Sequence, residues 1–211
     1  MVPSNKYDHD TRRIHLFSKQ INCGSIAGRT PDFNPQGEVI VITVSGNGFP
    51  VADSVASIMH AVTVYLPTLS IPDPTDPKKT IGAVNFGCAV TDDGHELPGD
   101  YVYRQVNRLQ QELKNNFLDQ SAVFAKVILN NQVVIVSDVV DNPAPIIAAV
   151  KLVKSYQPKL LVLATPVITV DAYLNLRQEV DEVVALETVS AHMVARAFSN
   201  EGYFEFTDEP S

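Results

Sequence analysis

From Val133 to the segment around Glu187 the chain alternates short apolar runs with runs of helical spacing. "VVIVS" at 133–137 is followed by a helical pattern at 144–156, an apolar run at 159–165, a helical pattern at 171–179 and an apolar run at 182–186. Strands without polar alternation are buried on both faces, and strands joined through helices run parallel. This spacing predicts a doubly wound α/β domain, a mostly parallel sheet with helices on both faces. Ligands in such sheets bind beyond the carboxyl ends of the strands. The loops to inspect are therefore 45–49, 66–79 and 137–145.

The preceding part fits the same plan. "EVIVITVS" from Glu38 reads as a buried strand. "PVADSVASIMHA" places Val51, Val55, Ile58 and Met59 at helical spacing with Pro50 in the first turn. "AVTVYLP" reads as a second strand. "TLSIPDPTDPKKT" holds Pro67 at its edge and Pro72, Pro74 and Pro77 within it, which predicts an exposed loop with no regular element. "IGAVNFGCAVTDDGHELPGDYV" predicts a strand, a hairpin turn at Asp93-Gly94 and a short return. Residues 100–117 predict a helix with Val102, Val106, Leu109 and Leu113 inward and Asp100 as N-cap. The chain thus divides into a peripheral arm at 1–37, a domain at 38–206 and a mobile acidic tail at 207–211. No internal repeat is present.

Composition narrows the function. A net charge of −8 argues against an extended nucleic-acid footprint. No apolar stretch is long enough to span a bilayer, and "MVPSNKYDHDTRRIHLFSKQ" lacks the apolar core of a secretory signal, so a cytoplasmic protein is expected. Cys23 and Cys88 read as small packing residues. The histidines show no ligand-like spacing, and no metal site is expected from them. Tyr101 and Tyr103 can pack only partly on one helix face and are candidates for a subunit contact.

"VVIVSDVVDNPAPIIAAVKLV" resembles the PRPP-binding motif of the type I phosphoribosyltransferases, in which a hydrophobic run and two acidic residues lead into a Thr-Gly loop opening a helix. "GFPVADSVA", "IGAV", "LLVLATPVI" and "DEVVALET" resemble, in order, core segments of a bacterial predicted phosphoribosyltransferase group. The resemblance spans about residues 38–206. It implies a phosphoribosyltransferase-like fold and a homo-oligomer. Active members displace pyrophosphate from PRPP, with Mg²⁺ neutralising the pyrophosphate.

The departures fall at the chemistry. Asn142, Pro143 and Pro145 stand where the resemblance expects Thr, Gly and Thr. Each proline removes an N–H donor from a loop that cradles phosphate with amides. Asp141 adds a carboxylate. A unit charge about 5 Å from an anion, at an effective dielectric near 20, is repelled by about 3 kcal/mol. Ser137 replaces the first acid, leaving Asp138 to face ribose hydroxyls. Gly46-Asn47-Gly48 replaces an Arg-Gly-Gly that meets pyrophosphate, and Leu69-Ser70 replaces an Arg-Lys pair.

Each candidate also has a plain structural reading. Asp138 is a ribose ligand or a turn carboxylate. Asp141 and Asn142, with Ala144, hold an anion or shape a turn. Ser45, Gly46, Asn47 and Gly48 cradle a neutral ligand or make a tight strand-to-helix connection. Lys78 and Lys79 grip an anion or are solvated. Glu182 reads as a strand-edge residue. The expectation is a non-catalytic binding, regulatory or oligomeric module with a degenerate PRPP site, its ligand a nucleotide or nucleoside if it has one. The alternative is an active transferase using PRPP and Mg²⁺.

Overall fold

A computed structural model describes residue 34 and residues 37–91, 99–117 and 121–191. Six strands form one parallel sheet: β1 (Val39–Thr43), β2 (Val62–Tyr65), β6 (Gln132–Val136), β7 (Val139–Val140), β8 (Leu160–Thr169) and β9 (Glu182–Val189). The order across it is β2, β1, β6, β8, β9, and short β7 continues the β6 side of β8. Helices α1 (Phe49–Met59), α4 (Ala144–Ser155) and α5 (Val170–Leu176) connect successive strands. This is the doubly wound arrangement expected from the alternation.

The strand period of two sorts the core onto two faces. Ile40, Ile42, Val133, Ile135, Leu161 and Leu163 join one cluster with Ile146, Val150 and Val153 of α4. Val39, Val41, Val134, Val136, Val162 and Ala164 join the other, with Val51, Val55 and Met59 of α1. Every residue of β1 and β6 is buried, which is why both read as uninterrupted apolar runs. The side-chain amide of Gln132, buried at the start of β6, accepts from Asn34 N at 2.5 Å and donates to Asn34 O at 2.9 Å.

A second, antiparallel sheet departs from expectation. β3 (Leu69–Pro72), β4 (Thr80–Val84) and β5 (Ala89–Thr91) form a three-stranded leaf. Part of the proline-rich segment is thus a strand. Pro72 ends it, at a register shift on the outer strand of the leaf, where a missing N–H breaks no interior ladder. The β4–β5 hairpin turns at residues 85–88, earlier than the expected Asp93-Gly94, which lies outside the described residues. There Asn85 is fully buried, and its side-chain oxygen accepts from the amides of Gly87 and Cys88. The leaf packs between α4 and α2 (Gly99–Asn116) through Ala83 and Val90 on Ala144 and Ala148, and through Ile71, Ile81 and Val84 on Leu109 and Leu113.

Other boundaries moved for local reasons. Asp100 lies within the first turn of α2 rather than at its N-cap. α3 (Ser121–Ile128) is a short helix beyond the expected set. β8 continues through Pro166 to Thr169. Its partner changes at that point from β6 to β7, so the proline falls where that side of the ladder is interrupted. Among the described residues no helix is long and apolar enough to cross a membrane.

Candidate functional site

β1 and β6 are parallel neighbours, with Thr43 opposite Val136, so their carboxyl ends lie side by side. β2 lies beyond β1 and β8 beyond β6, which makes the β1–β6 gap the point where the winding reverses. The turns leaving these strands carry Ser45–Gly48 and Ser137–Ala144. The structure therefore brings both groups of candidates to one edge of the sheet.

The first turn is a single 3-10 turn over Gly46–Gly48 leading straight into α1. The Ser45 hydroxyl oxygen accepts from Gly48 N at 3.2 Å. A Cβ at Gly48 would collide with the Thr43 hydroxyl, so glycine permits the turn to close on β1. Gly46 faces open space. Asn47 is exposed, and its side chain makes no hydrogen bond with a described residue.

The second turn binds itself. Asp141 Oδ1 accepts from Asn142 N at 2.7 Å, and Asn142 Oδ1 accepts from Ala144 N at 2.8 Å. Pro143 and Pro145 have no N–H to offer. Asn142 Nδ2 donates to Thr80 O at 3.0 Å, tying the turn to β4. The turn is thus closed by its own side chains before any ligand arrives. Pro143 and Pro145 sit at the N-cap and in the first turn of α4, where the backbone N–H has no intrahelical acceptor to lose.

Ser137 is buried and its hydroxyl donates to Val139 O at 3.0 Å. The same bond recurs on two neighbouring strands: Thr43 Oγ1 donates to Ser45 O at 3.1 Å at the end of β1, and Thr165 Oγ1 to Val167 O at 3.0 Å where β8 changes partner from β6 to β7. Ser137 therefore belongs to a repeated device at the points where the central ladder breaks off. Thr43 and Thr165 were not singled out from sequence, although a hydroxyl at the end of each apolar run was the available signal. Asp138 is different. It is half-buried, and its carboxylate accepts no hydrogen bond from a described residue.

Lys78 and Lys79 sit on the exposed loop 73–79 between β3 and β4. The loop is organised by Asp73, whose Oδ1 accepts from the Thr75 hydroxyl at 2.6 Å, Thr75 N at 2.7 Å and Asp76 N at 3.2 Å. These bonds, first that of the Thr75 hydroxyl, hold the Asp73 carboxyl below its ordinary range, and the Lys79 charge adds to them. Thr80, which follows Lys79, accepts from Asn142 Nδ2, so the backbone joins this loop to the site. Leu69 and Ser70 lie within β3.

Tyr101 is committed to the leaf, its hydroxyl donating to Pro72 O at 2.8 Å, while Tyr103 is exposed. Cys88 is a half-buried free thiol packed against apolar neighbours, and burial pushes its pKa up. Cys23 lies outside the described residues. Glu182 opens β9 at one edge of the sheet. Among the described residues no cluster of His, Cys, Asp and Glu could hold a metal ion.

No protein-family model matches the chain, and no curated protein matches it. Solved structures do resemble it. The crystal structure of TT1426 from Thermus thermophilus superposes with a TM-score of 0.56 at 23% identity, covering 85% of this chain and 83% of that one. A hypoxanthine phosphoribosyltransferase from Staphylococcus aureus superposes with a TM-score of 0.50 at 11% identity, covering 90% and 83%. The likeness is one of fold: the chain has a phosphoribosyltransferase-like architecture.

Proposed function

We propose that this chain is a phosphoribosyltransferase-like binding or regulatory module whose PRPP site no longer supports catalysis. The observation that carries the reading is the turn at 141–145. Of its five positions two are prolines, and the amides of Asn142 and Ala144 are bound to side-chain oxygens of the turn itself. A phosphate cradle needs such amides free and converging on the anion. Ser137 supports the same reading, because its hydroxyl donates inward to Val139 O.

Active transfer is the second reading, and the free Asp138 carboxylate favours it. It stands at the carboxyl end of β6, where a ribose diol would be held. In that reading Mg²⁺ would enter with PRPP and neutralise the pyrophosphate. The residues fit that ion poorly: beside Asp138 the adjoining position offers the committed hydroxyl of Ser137 rather than a second carboxylate.

Calorimetric titration with PRPP and Mg²⁺ separates the two. The expected result is no micromolar binding and no pyrophosphate release on adding nucleobases. Micromolar binding with pyrophosphate release overturns the proposal in favour of the transferase. Grafting Ala-Thr-Gly-Ala-Thr onto positions 141–145 is expected to add affinity for inorganic phosphate that the natural turn lacks.

A further inference from the structure

We propose that Asn47 is a site of spontaneous deamidation, held shut by the cap that Ser45 places on Gly48 and exposed when that turn opens. Asn47-Gly48 is the one place in the chain where glycine follows asparagine. That pairing is the reactive one. The backbone nitrogen of the following residue attacks the asparagine side-chain carbon, and glycine offers no Cβ to hinder the approach. A new C–N bond closes a five-membered imide, and ammonia leaves. Water then opens the ring at one carbonyl or the other, giving aspartate or isoaspartate. In sum one water is consumed and one ammonia released, with no other reactant.

The fold imposes one half of the pair and leaves the other unrestrained. A Cβ at position 48 would collide with the Thr43 hydroxyl, so the packing of the turn on β1 demands the glycine. Asn47 is exposed, and no hydrogen bond to a described residue holds its side chain away from the backbone. The side-chain carbon is therefore open to water and to its neighbour.

The guard sits on the attacking nitrogen. Gly48 N donates to the Ser45 hydroxyl oxygen and to Ser45 O, each at 3.2 Å. Ser45 O is held in turn by the Thr43 hydroxyl at 3.1 Å. Attack requires Gly48 N to give up its proton and swing toward the Asn47 side chain, so both of its bonds must break first. The turn over Gly46–Gly48 is only three residues long, and Gly46 faces open space. A segment of that kind opens locally, at a far lower free energy than global unfolding, and the opening sets the rate of reaction. The product carries a new carboxylate on the turn that shares the sheet edge with the Asp138 and Asp141 turn. Deamidation therefore makes the candidate site still less hospitable to an anion.

Peptide mapping by mass spectrometry tests this on the full chain, incubated in mildly alkaline buffer both folded and in concentrated urea. The readout is the mass gain of an amide-to-acid exchange, assigned residue by residue. In urea, Asn47 is expected to react ahead of every other asparagine. In the folded chain its reaction is expected to slow at least about tenfold, because the closed turn withholds the nitrogen. Ser45→Ala removes one of the two acceptors of Gly48 N. Folded, as checked by far-ultraviolet circular dichroism, it is expected to deamidate about fivefold faster than the natural chain, the factor that such a cap is worth. In urea the variant and the natural chain are expected to react alike. Equal rates for the natural chain folded and unfolded overturn the proposal. So does another asparagine reacting ahead of Asn47 in urea, or a folded Ser45→Ala no faster than the natural chain.

Discussion

In β1 and β6 every residue is buried, and among the described residues the clusters flanking them hold most of the largest fully buried side chains. In the leaf, β3 alternates between half-buried, exposed and buried positions, and β5 buries Val90 alone. The main sheet is held by area, at about 1.5–3 kcal/mol for each large apolar side chain it hides. The leaf has an apolar contact on each side, Ile71, Ile81 and Val84 on α2 and the smaller Ala83 and Val90 on the alanines of α4, supplemented by single polar bonds to the helices and turn around it. Stability spread over area tolerates substitution, whereas stability concentrated in a buried amide is lost with that amide. The candidate site lies between the two, because Asn142 both closes the site's turn and holds the leaf.

The largest expected effect is at Asn85. Its Nδ2 donates to Ala148 O at 2.8 Å in the middle of α4, and its Oδ1 accepts two amides of the β4–β5 turn. The side chain is fully buried, so truncation removes the bond to Ala148 O and leaves the amides of exposed Gly87 and half-buried Cys88 without their acceptor. Asn85→Ala is expected to cost about 3 kcal/mol, read as a lowered midpoint in urea unfolding. Hydrogen exchange should locate the loss in β4 and β5 while β1 and β6 keep their relative protection. Uniform loss across both sheets would show that leaf and main sheet are one cooperative unit.

Asn142→Ala sharpens the contrast at the site. It removes the acceptor for Ala144 N and the bond to Thr80 O. The expected cost is about 1–2 kcal/mol, that of two part-buried hydrogen bonds. Faster exchange at the start of β4 should accompany it. An unchanged unfolding midpoint would mean that the turn is held by its prolines alone.

How much of this was legible in the chain divides along the same line. Strands buried on both faces write themselves as apolar runs, so β1, β6 and β8 could be placed within a few residues. In the leaf only β4 could be placed; β3 could not, because Pro72 and Pro74 read as breakers unless its outer position is already known. Asn85 gave no signal, since its partner in α4 is 63 residues away. At the site, strand ends fixed where the loops lie, and Asx chemistry foretold that Asp141 or Asn142 would take the turn's amides. Ser137 read only as a missing acid. Its hydroxyl role emerged once Thr43 and Thr165 were seen making the same bond on either side.

Acid separates the regions without a core substitution. Asp73 shapes the leaf's loop as a carboxylate, and its folded-state pKa is lowered by the Thr75 and Asp76 donors. A lowered pKa means stability that is present above the unfolded value of about 3.9 and lost as pH falls through the folded value. Asp73→Asn should remove that part of the pH dependence. Below about pH 4 the stability of wild type and variant should converge, as followed by thermal unfolding from pH 7 to pH 2. Parallel curves across that range would mean that the loop contributes no carboxylate-linked stability.

The smallest expected effect lies on the main-sheet side and acts through the backbone. His60 ends α1 in the left-handed region, at φ 53°, with its N–H bonded to Ala56 O. A residue with a Cβ is strained there by about 1 kcal/mol, and glycine is not. Glycine also frees the unfolded chain, which takes back about half of that gain. His60→Gly is therefore expected to stabilise the protein by about 0.5 kcal/mol, a rise of one or two degrees in Tm. The gain should appear in the exchange of β1 and α1, and leave the leaf's faster-opening amides where they were. Equal slowing in the leaf would show that its opening runs through global unfolding, and the contrast between the two sheets would then be one of composition without a difference in local stability.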